Sequence, residues 1–213
     1  MHMLALMARR PDKTREAFRA HYEASHAPLA RRSLPWFRGY LRGHPVEVLG
    51  PELPFDSVTE IWFEDAKAFA ELSAWLASPA GDEIREDEDR FLNRPENAYF
   101  AAVTALHVGA ARPAAGAHAK VAVFWAPGSA PEPREIEARL AALGPSLASA
   151  EHLVHDRALG IRHGPAERPE AITQLWLRGA PPALAGIRDA LRAGPLVAVA
   201  RIEECGAAAE EAA

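Results

Sequence analysis

The sequence predicts an α+β fold made of two ferredoxin-like βαββαβ repeats, packed sheet to sheet within one chain. Three observations predict it: a strand copied half a chain apart, the same order of elements around each copy, and a linker-like stretch between them. The strand copies are "SVTEIWFED" at 57–65 and "AITQLWLRG" at 171–179. Each is a β-branched, period-two run that ends in a charged or glycine-bearing turn.

In chain order, "MLALMAR" at 3–9 reads as a short apolar strand followed by a proline-containing turn. Thr14 is a suitable N-cap and Glu16 suits a first helical turn, which predicts a helix over 15–25. A strand around "RGYLRGHPVEV" at 38–48, the copied strand, a helix over 66–76 and a strand over 98–107 complete the first unit. "GAARPAAGA" at 109–117 has the Gly, Pro and Ala content of an exposed linker. The order then recurs: a strand at 120–126, a helix from Arg134, a segment bearing His152, His155 and His163, the second strand copy, a helix over 182–191 and a strand over 196–203. The expected partition is therefore an N-terminal domain at 1–108, a linker at 109–117 and a degenerate repeat at 118–206. Each unit covers one face of its sheet with helices and leaves the other bare. Packing the bare faces together closes a barrel around a central cavity, as an internal pseudo-dimer. Exchange of halves between two chains buries the same surfaces, so a homodimer stays open.

Composition narrows the function classes. Of 213 residues, 49% are hydrophobic and 25% charged, as in an ordinary globular protein, and no stretch is apolar enough to span a bilayer. The arginines of "MHMLALMARR" follow a very short apolar run, the reverse of a secretory signal, so a cytoplasmic location is expected. A net charge of −5 with dispersed basic residues disfavours nucleic acid, and a small-molecule substrate is the expected partner. The single cysteine, Cys205, allows neither an internal disulfide nor a thiolate cluster and reads as a small buried hydrophobe.

Strand alternation assigns faces. Thr59, Ile61 and Phe63, with Thr173, Leu175 and Leu177, should lie under the helices, while Glu60, Trp62, Gln174 and Trp176 should line the space between the sheets. That mixture of aromatic and polar groups suits a small-molecule pocket, or else simple interface filling.

The chemistry candidates cluster in "AHYEASHAPLARR" at 20–32. Phe18, Tyr22 and His26 are spaced by four and share a stripe, with His21 at its margin. The helix is expected to unwind before Ala27-Pro28 and to deliver His26 to the end of the cavity. Imidazole both takes and gives protons near neutral pH, although a histidine at a helix end also serves merely to satisfy carbonyls. The matching helix of the second unit has Leu140 near the Tyr22 position and no histidine near Gly144, which favours a single asymmetric site. On the strand at 38–48, Tyr40, Arg42, His44 and Val46 alternate to one face. Tyr40 and His44 suit hydrogen-bond donation and proton carriage, and Arg42 suits anion binding, unless the row meets solvent. "GDEIREDEDRF" at 81–91 lacks the spacing of a calcium loop and reads as a solvated helix face. The second-half histidines have no dependable ligand spacing, and neither a phosphate-cradling loop nor a nucleophile elbow occurs. No metal or cofactor is expected.

"FRAHYEASHAPLARR", "YLRGHPVEV", "FDSVTEIWFED" and "DEDRFLNRPENAYF" resemble, in order and spacing over residues 1–108, the EthD family of the dimeric α+β barrel proteins. The second half resembles the same fold without the helix histidine and the acidic segment, as in a tandem with one degenerate copy. The resemblance implies a cofactor-free barrel whose relatives isomerise lactones or dehydrate, decarboxylate or oxygenate aromatic polyketides, the chemistry of secondary metabolism. The family's helix histidine maps to His26 with Tyr22 beside it, and its polar strand position maps to His44. The expected function is thus a lyase or isomerase acting on a small aromatic, polyketide-like or lactone substrate. In it His26 removes a proton next to a carbonyl, and Tyr22 and His44 stabilise or reprotonate the enolate. His21, Trp36, Tyr40, Arg42, Glu60, Trp62 and Trp176 are the expected substrate contacts, with the tryptophans as flat walls. The alternatives are a cofactor-independent monooxygenase of aromatic polyketides and a non-catalytic ligand-binding or accessory protein.

Overall fold

The alternating apolar runs become strands and the stripes between them become helices. The computed structural model describes residues 1–109, 112–115, 117–142, 150–165, 168–178, 183–191 and 196–207. Its first half runs β1 (His2–Met7), α1 (Arg15–His21), a π-helical turn (Tyr22–His26), α2 (Ala27–Ser33), β2 (Phe37–Leu49), β3 (Ser57–Phe63), α3 (Ala66–Ala77), α4 (Asp82–Phe91) and β4 (Ala98–Gly109). The second runs β5 (Ala119–Trp125), α5 (Pro133–Ala142), β6 (Ala150–His163), β7 (Ala171–Leu177), α6 (Leu184–Leu191) and β8 (Leu196–Ala207).

All strand pairs are antiparallel, and the order β1-β3-β2-β8-β5-β7-β6-β4 closes into a barrel. Two long seams join the halves: β2 with β8, from Tyr40↔Ala207 to Leu49↔Val199, and β4 with β6, from Tyr99↔His163 to Gly109↔His152. Closure leaves no free sheet edge among these strands. Among the described residues no helix is long and apolar enough to cross a membrane.

Inside the barrel, where a hollow was expected, the structure places buried side chains. Leu4, Leu6, Phe100, Phe124, Ile172 and Ile202 belong to one buried apolar cluster between the two halves, as an eight-stranded barrel is narrow enough for side chains to fill. Two further clusters lie on the outer face of the barrel, one beneath the helices of each half.

Three further sequence expectations need correction. The helix begins at Arg15, where Thr14 Oγ1 accepts from the Ala17 N–H at 3.1 Å, but it does not unwind at His26. It passes through the π turn, in which the Ala27 N–H bonds to the Tyr22 carbonyl five residues back, and continues to Ser33. Pro28 offers no N–H and crowds the preceding turn, and the wider turn accommodates it without ending the helix. Arg112 of the presumed exposed linker is inserted against Glu60, with its side chain only 13% exposed. Cys205 is half-buried beside Glu23 and His44 and does not sit in the core. The Leu140 side chain, Gly144 and Pro182 lie outside the described residues.

Candidate active site

The Phe18-Tyr22-His26 stripe lies over the outer face of the first half's sheet. Phe18 is buried against Phe91 and Tyr22, with ring centroids 5.5 and 5.6 Å away. Tyr22 reaches the sheet, where its hydroxyl pairs with Thr59 Oγ1 at 2.8 Å and accepts from the Tyr40 hydroxyl at 3.3 Å. Burial pushes the Tyr22 phenol up to about 12 and raises Tyr40 well above its usual range, so both are neutral hydrogen-bonding groups. The π turn sets His26 on the same side, its ring centroid 5.3 Å from that of Tyr22.

His26 is paired with an acid. Asp87, buried on α4, accepts from His26 Nδ1 through Oδ2 at 2.9 Å and from His21 Nε2 through Oδ1 at 2.9 Å. A carboxylate against Nδ1 selects the tautomer protonated there and leaves the lone pair on Nε2. Burial lowers the pKa of His26, and this outweighs the opposing pull of Asp87. The imidazole is therefore neutral and basic at neutral pH. Asp87 and Glu88 are adjacent on the helix and point about 100° apart, so one faces the histidines while the other shares the cavity face with Ile84, four residues before it. Burial raises Glu88 to about 7, against the attraction of Arg94, whose Nε lies 3.6 Å away.

These groups open onto a cavity of about 700 Å³ between the sheet and the helices. Met3, Ala5, Met7, Ile61 and Phe63 form its floor, and α3 closes one side with Leu72 and Leu76. Every lining residue falls between Met3 and Tyr99. The cavity is mostly apolar, with a few polar groups at fixed points, which is the usual form of a small-molecule site. Two of its lining groups, His26 and Glu88, have pKa values moved by burial, the first down and the second up.

The segment that carries His26, Asp87 and Glu88 coincides with a family match: residues 10–95 match the EthD domain. Solved structures similar to the whole chain include an anthrone oxidase-like protein at 12% identity and a TM-score of 0.46, covering 96% of this chain and 92% of that one. A candidate monooxygenase from Lactobacillus acidophilus has 9% identity and a TM-score of 0.46, covering 99% and 98%. A candidate chlorite dismutase, TA0507, has 9% identity and a TM-score of 0.49, covering 94% of each chain. No curated protein matches the sequence significantly.

Of the residues singled out from sequence, the segment that matches the EthD domain brings Tyr22, His26 and Tyr40 to the cavity. His21 stands behind Asp87, outside the cavity lining. Arg42 and His44 face the π turn, where Glu23 holds both: Arg42 Nη2 lies 2.5 Å from Oε2 and His44 Nε2 lies 2.7 Å from Oε1. Burial alone would raise Glu23, but hydrogen bonds from His44 and Arg42 hold it at about 2. His44 is thus hydrogen-bonded to Glu23 and lies outside the cavity lining. Trp36 lies near the surface, donating to Glu71 at 3.1 Å and packing on Trp75. Glu60, Trp62 and Trp176 line the barrel interior, on the opposite side of the sheet from the cavity. The face assignment by alternation held, with Thr59, Ile61 and Phe63 under the helices, but the cavity lies on that face. A helix outside a closed barrel cannot project a side chain through the sheet to its interior.

The matching segment also contains buried titratable groups that sequence reasoning passed over. Asp87 and Glu88 belong to the run read as a solvated face. Ile84, Asp87 and Phe91 are all buried at helical spacing, so the available signal was an aspartate on an apolar stripe. Glu23, His44 and Cys205 bring three donor atoms within 4.8 Å, but the Arg42 guanidinium already occupies Glu23 and repels a cation there.

Proposed function

We propose that the EthD-domain cavity catalyses proton transfer on a small, largely apolar carbon acid of aromatic, polyketide-like or lactone type, in a dehydration, decarboxylation or isomerisation. His26 Nε2 takes the proton next to a carbonyl, and Asp87 holds the ring and stabilises the imidazolium that forms. Tyr22, backed by Tyr40, donates to the enolate oxygen. Glu88, near its pKa at neutral pH, returns a proton to carbon or to the departing hydroxyl. The single observation that carries this reading is the 2.9 Å His26–Asp87 pair set at the wall of a cavity of about 700 Å³ that also presents Glu88. In the same proposal, residues 1–108 form the working ferredoxin-like unit, 109–117 the connection and 118–206 a degenerate copy that supports it.

The test is to incubate wild type and His26→Gln with a panel of aromatic polyketide acids and lactones and to follow products by mass. Loss of a positioned base costs about 10² to 10⁴ in rate; equal turnover by both proteins removes His26 from the mechanism. A second reading, cofactor-independent oxygenation of an electron-rich phenol, draws on the buried aromatic walls, which would shield a deprotonated ring from water. Oxygen consumption with anthrone-type substrates favours it. Tight binding without turnover, unaffected by His26→Ala, favours a non-catalytic ligand-binding role.

A further inference from the structure

The barrel interior is apolar at one end and charged at the other. At the charged end, His2 pairs with Trp62 across β1 and β3, and Lys120 pairs with Trp176 across β5 and β7. Leu4 faces Glu60 and Ala122 faces Gln174 one step further in. The two tryptophans therefore occupy equivalent positions in the two halves, on either side of the barrel axis.

Between them sits a group that neither half's sheet supplies. The Arg112 guanidinium carbon lies 4.5 Å from the Trp176 ring centroid and 5.3 Å from that of Trp62. Its two terminal nitrogens fork onto Glu60, Nη1 to Oε2 at 2.9 Å and Nη2 to Oε1 at 2.5 Å, with Glu204 Oε1 3.7 Å from Nη2. Lys120 bridges the same two carboxylates, at 3.1 Å to Glu60 and 2.6 Å to Glu204, and Trp176 Nε1 donates to Glu204 at 3.2 Å. Arg112 and Lys120 thus face Glu60 and Glu204 where each side chain is nearly sealed from water, with His2 Nε2 3.4 Å from Glu60 Oε2 and its ring stacked on Trp62 at 4.7 Å. Burial by itself would raise Glu60, but the charges of Arg112 and Lys120 outweigh it and hold the carboxyl well below the usual range. Without Arg112, Glu60 loses its forked partner, and the sides of Trp62 and Trp176 that the guanidinium covers lose their contact.

We propose that this end of the barrel is a guanidinium-binding cage, occupied in the intact chain by Arg112 and able to take up a free guanidinium-bearing ligand when that side chain is removed. The geometry selects the chemistry. A planar cation fits between two ring faces, and a fork of parallel N–H groups matches a carboxylate edge in a way that a spherical ammonium does not. Lys120 already supplies the ammonium that the two carboxylates can share. Among the described residues the Arg112 Nε has no hydrogen-bond partner, so the fit rests on the fork, the rings and the charge. The connection between the halves thereby acts as a tether, with a side chain of the connecting segment serving as the cage's own ligand.

Arg112→Ala tests this directly, with thermal unfolding followed by the near-ultraviolet circular dichroism of the tryptophans. Loss of one partner from a buried ion cluster should lower the unfolding midpoint by about 10 °C. Millimolar guanidinium chloride should recover most of that loss and restore the tryptophan signal, whereas sodium or ammonium chloride at equal ionic strength should not. The same guanidinium should leave the wild type unchanged or slightly destabilised, because its cage is filled. No recovery, or equal recovery with sodium, overturns the proposal. If Arg112→Ala is isolated only unfolded, its refolding yield from urea with guanidinium or with sodium decides by the same comparison. The double variant Arg112→Ala/Trp176→Leu should lose the guanidinium response; its retention also overturns the cage.

Discussion

Replacing Asp87 by asparagine isolates the part of the site on which the proposed base depends. The carboxylate accepts one imidazole N–H on each oxygen, at 2.9 Å from His26 and 2.9 Å from His21, inside a side chain only 6% exposed. Asparagine keeps one accepting oxygen and turns an NH₂ group toward the other ring, so at least one charge-assisted bond is lost. Such a bond contributes about 1.5–3 kcal/mol. For a chain of this size that corresponds to a fall of about 3–12 °C in the unfolding midpoint. The electrostatic consequence has a definite sign. Asp87 acts to raise the His26 pKa against the burial that lowers it, so its removal moves His26 still lower. Differential scanning calorimetry reads the first effect, and the ¹⁵N resonances of the His26 ring, titrated against pH, read the second. An unchanged midpoint together with unaltered His26 ring resonances would refute the assignment of Asp87 as the group that orients the base.

Two other outcomes are open to measurement. Burial lifts Glu88 from an ordinary 4.5 to about 7, so across that window the folded chain holds a proton that the unfolded chain has released, and stability declines as pH rises through it. Glu88→Gln removes that decline; between about pH 5 and about pH 8 the wild type should lose on the order of 3 kcal/mol relative to the variant in urea titrations, and parallel curves would contradict the raised pKa. Ala5, on the cavity floor, has room above it for a ring. Ala5→Phe should abolish uptake of an apolar fluorescent probe while lowering stability by no more than about 1–3 kcal/mol, and retained uptake would place the probe elsewhere.

Strand alternation carried the reading of this fold a long way. The copied runs at 57–65 and 171–179 become β3 and β7, and their side-chain rows face as period two requires. The cavity's location was not legible, because alternation distinguishes two faces without saying which contains space. That depends on how bulky the opposing residues are. The second half illustrates this: at the β5 position matching Met7, Trp125 is fully buried, and its Nε1 donates to Thr173 at 2.8 Å. His26 was found because its spacing from Phe18 and Tyr22 survives the π turn. Asp87 was not, because a charge-rich segment is dominated by its exposed members, and only tertiary contact with the α1–α2 segment distinguishes the one that is buried. Arg112 lay in a stretch whose composition describes a linker but cannot reveal that one side chain is inserted between two indoles.

The two seams that close the barrel, β2 with β8 and β4 with β6, both join segments of the same polypeptide. Their formation is therefore a unimolecular event, governed by the reach of the connecting segment and insensitive to dilution. A pair of separate chains would have to find each other at every concentration before the sheet behind the cavity had its edges covered. Here the counterpart is always present, so the sheet that forms the pocket's floor keeps its edges paired however scarce the protein is.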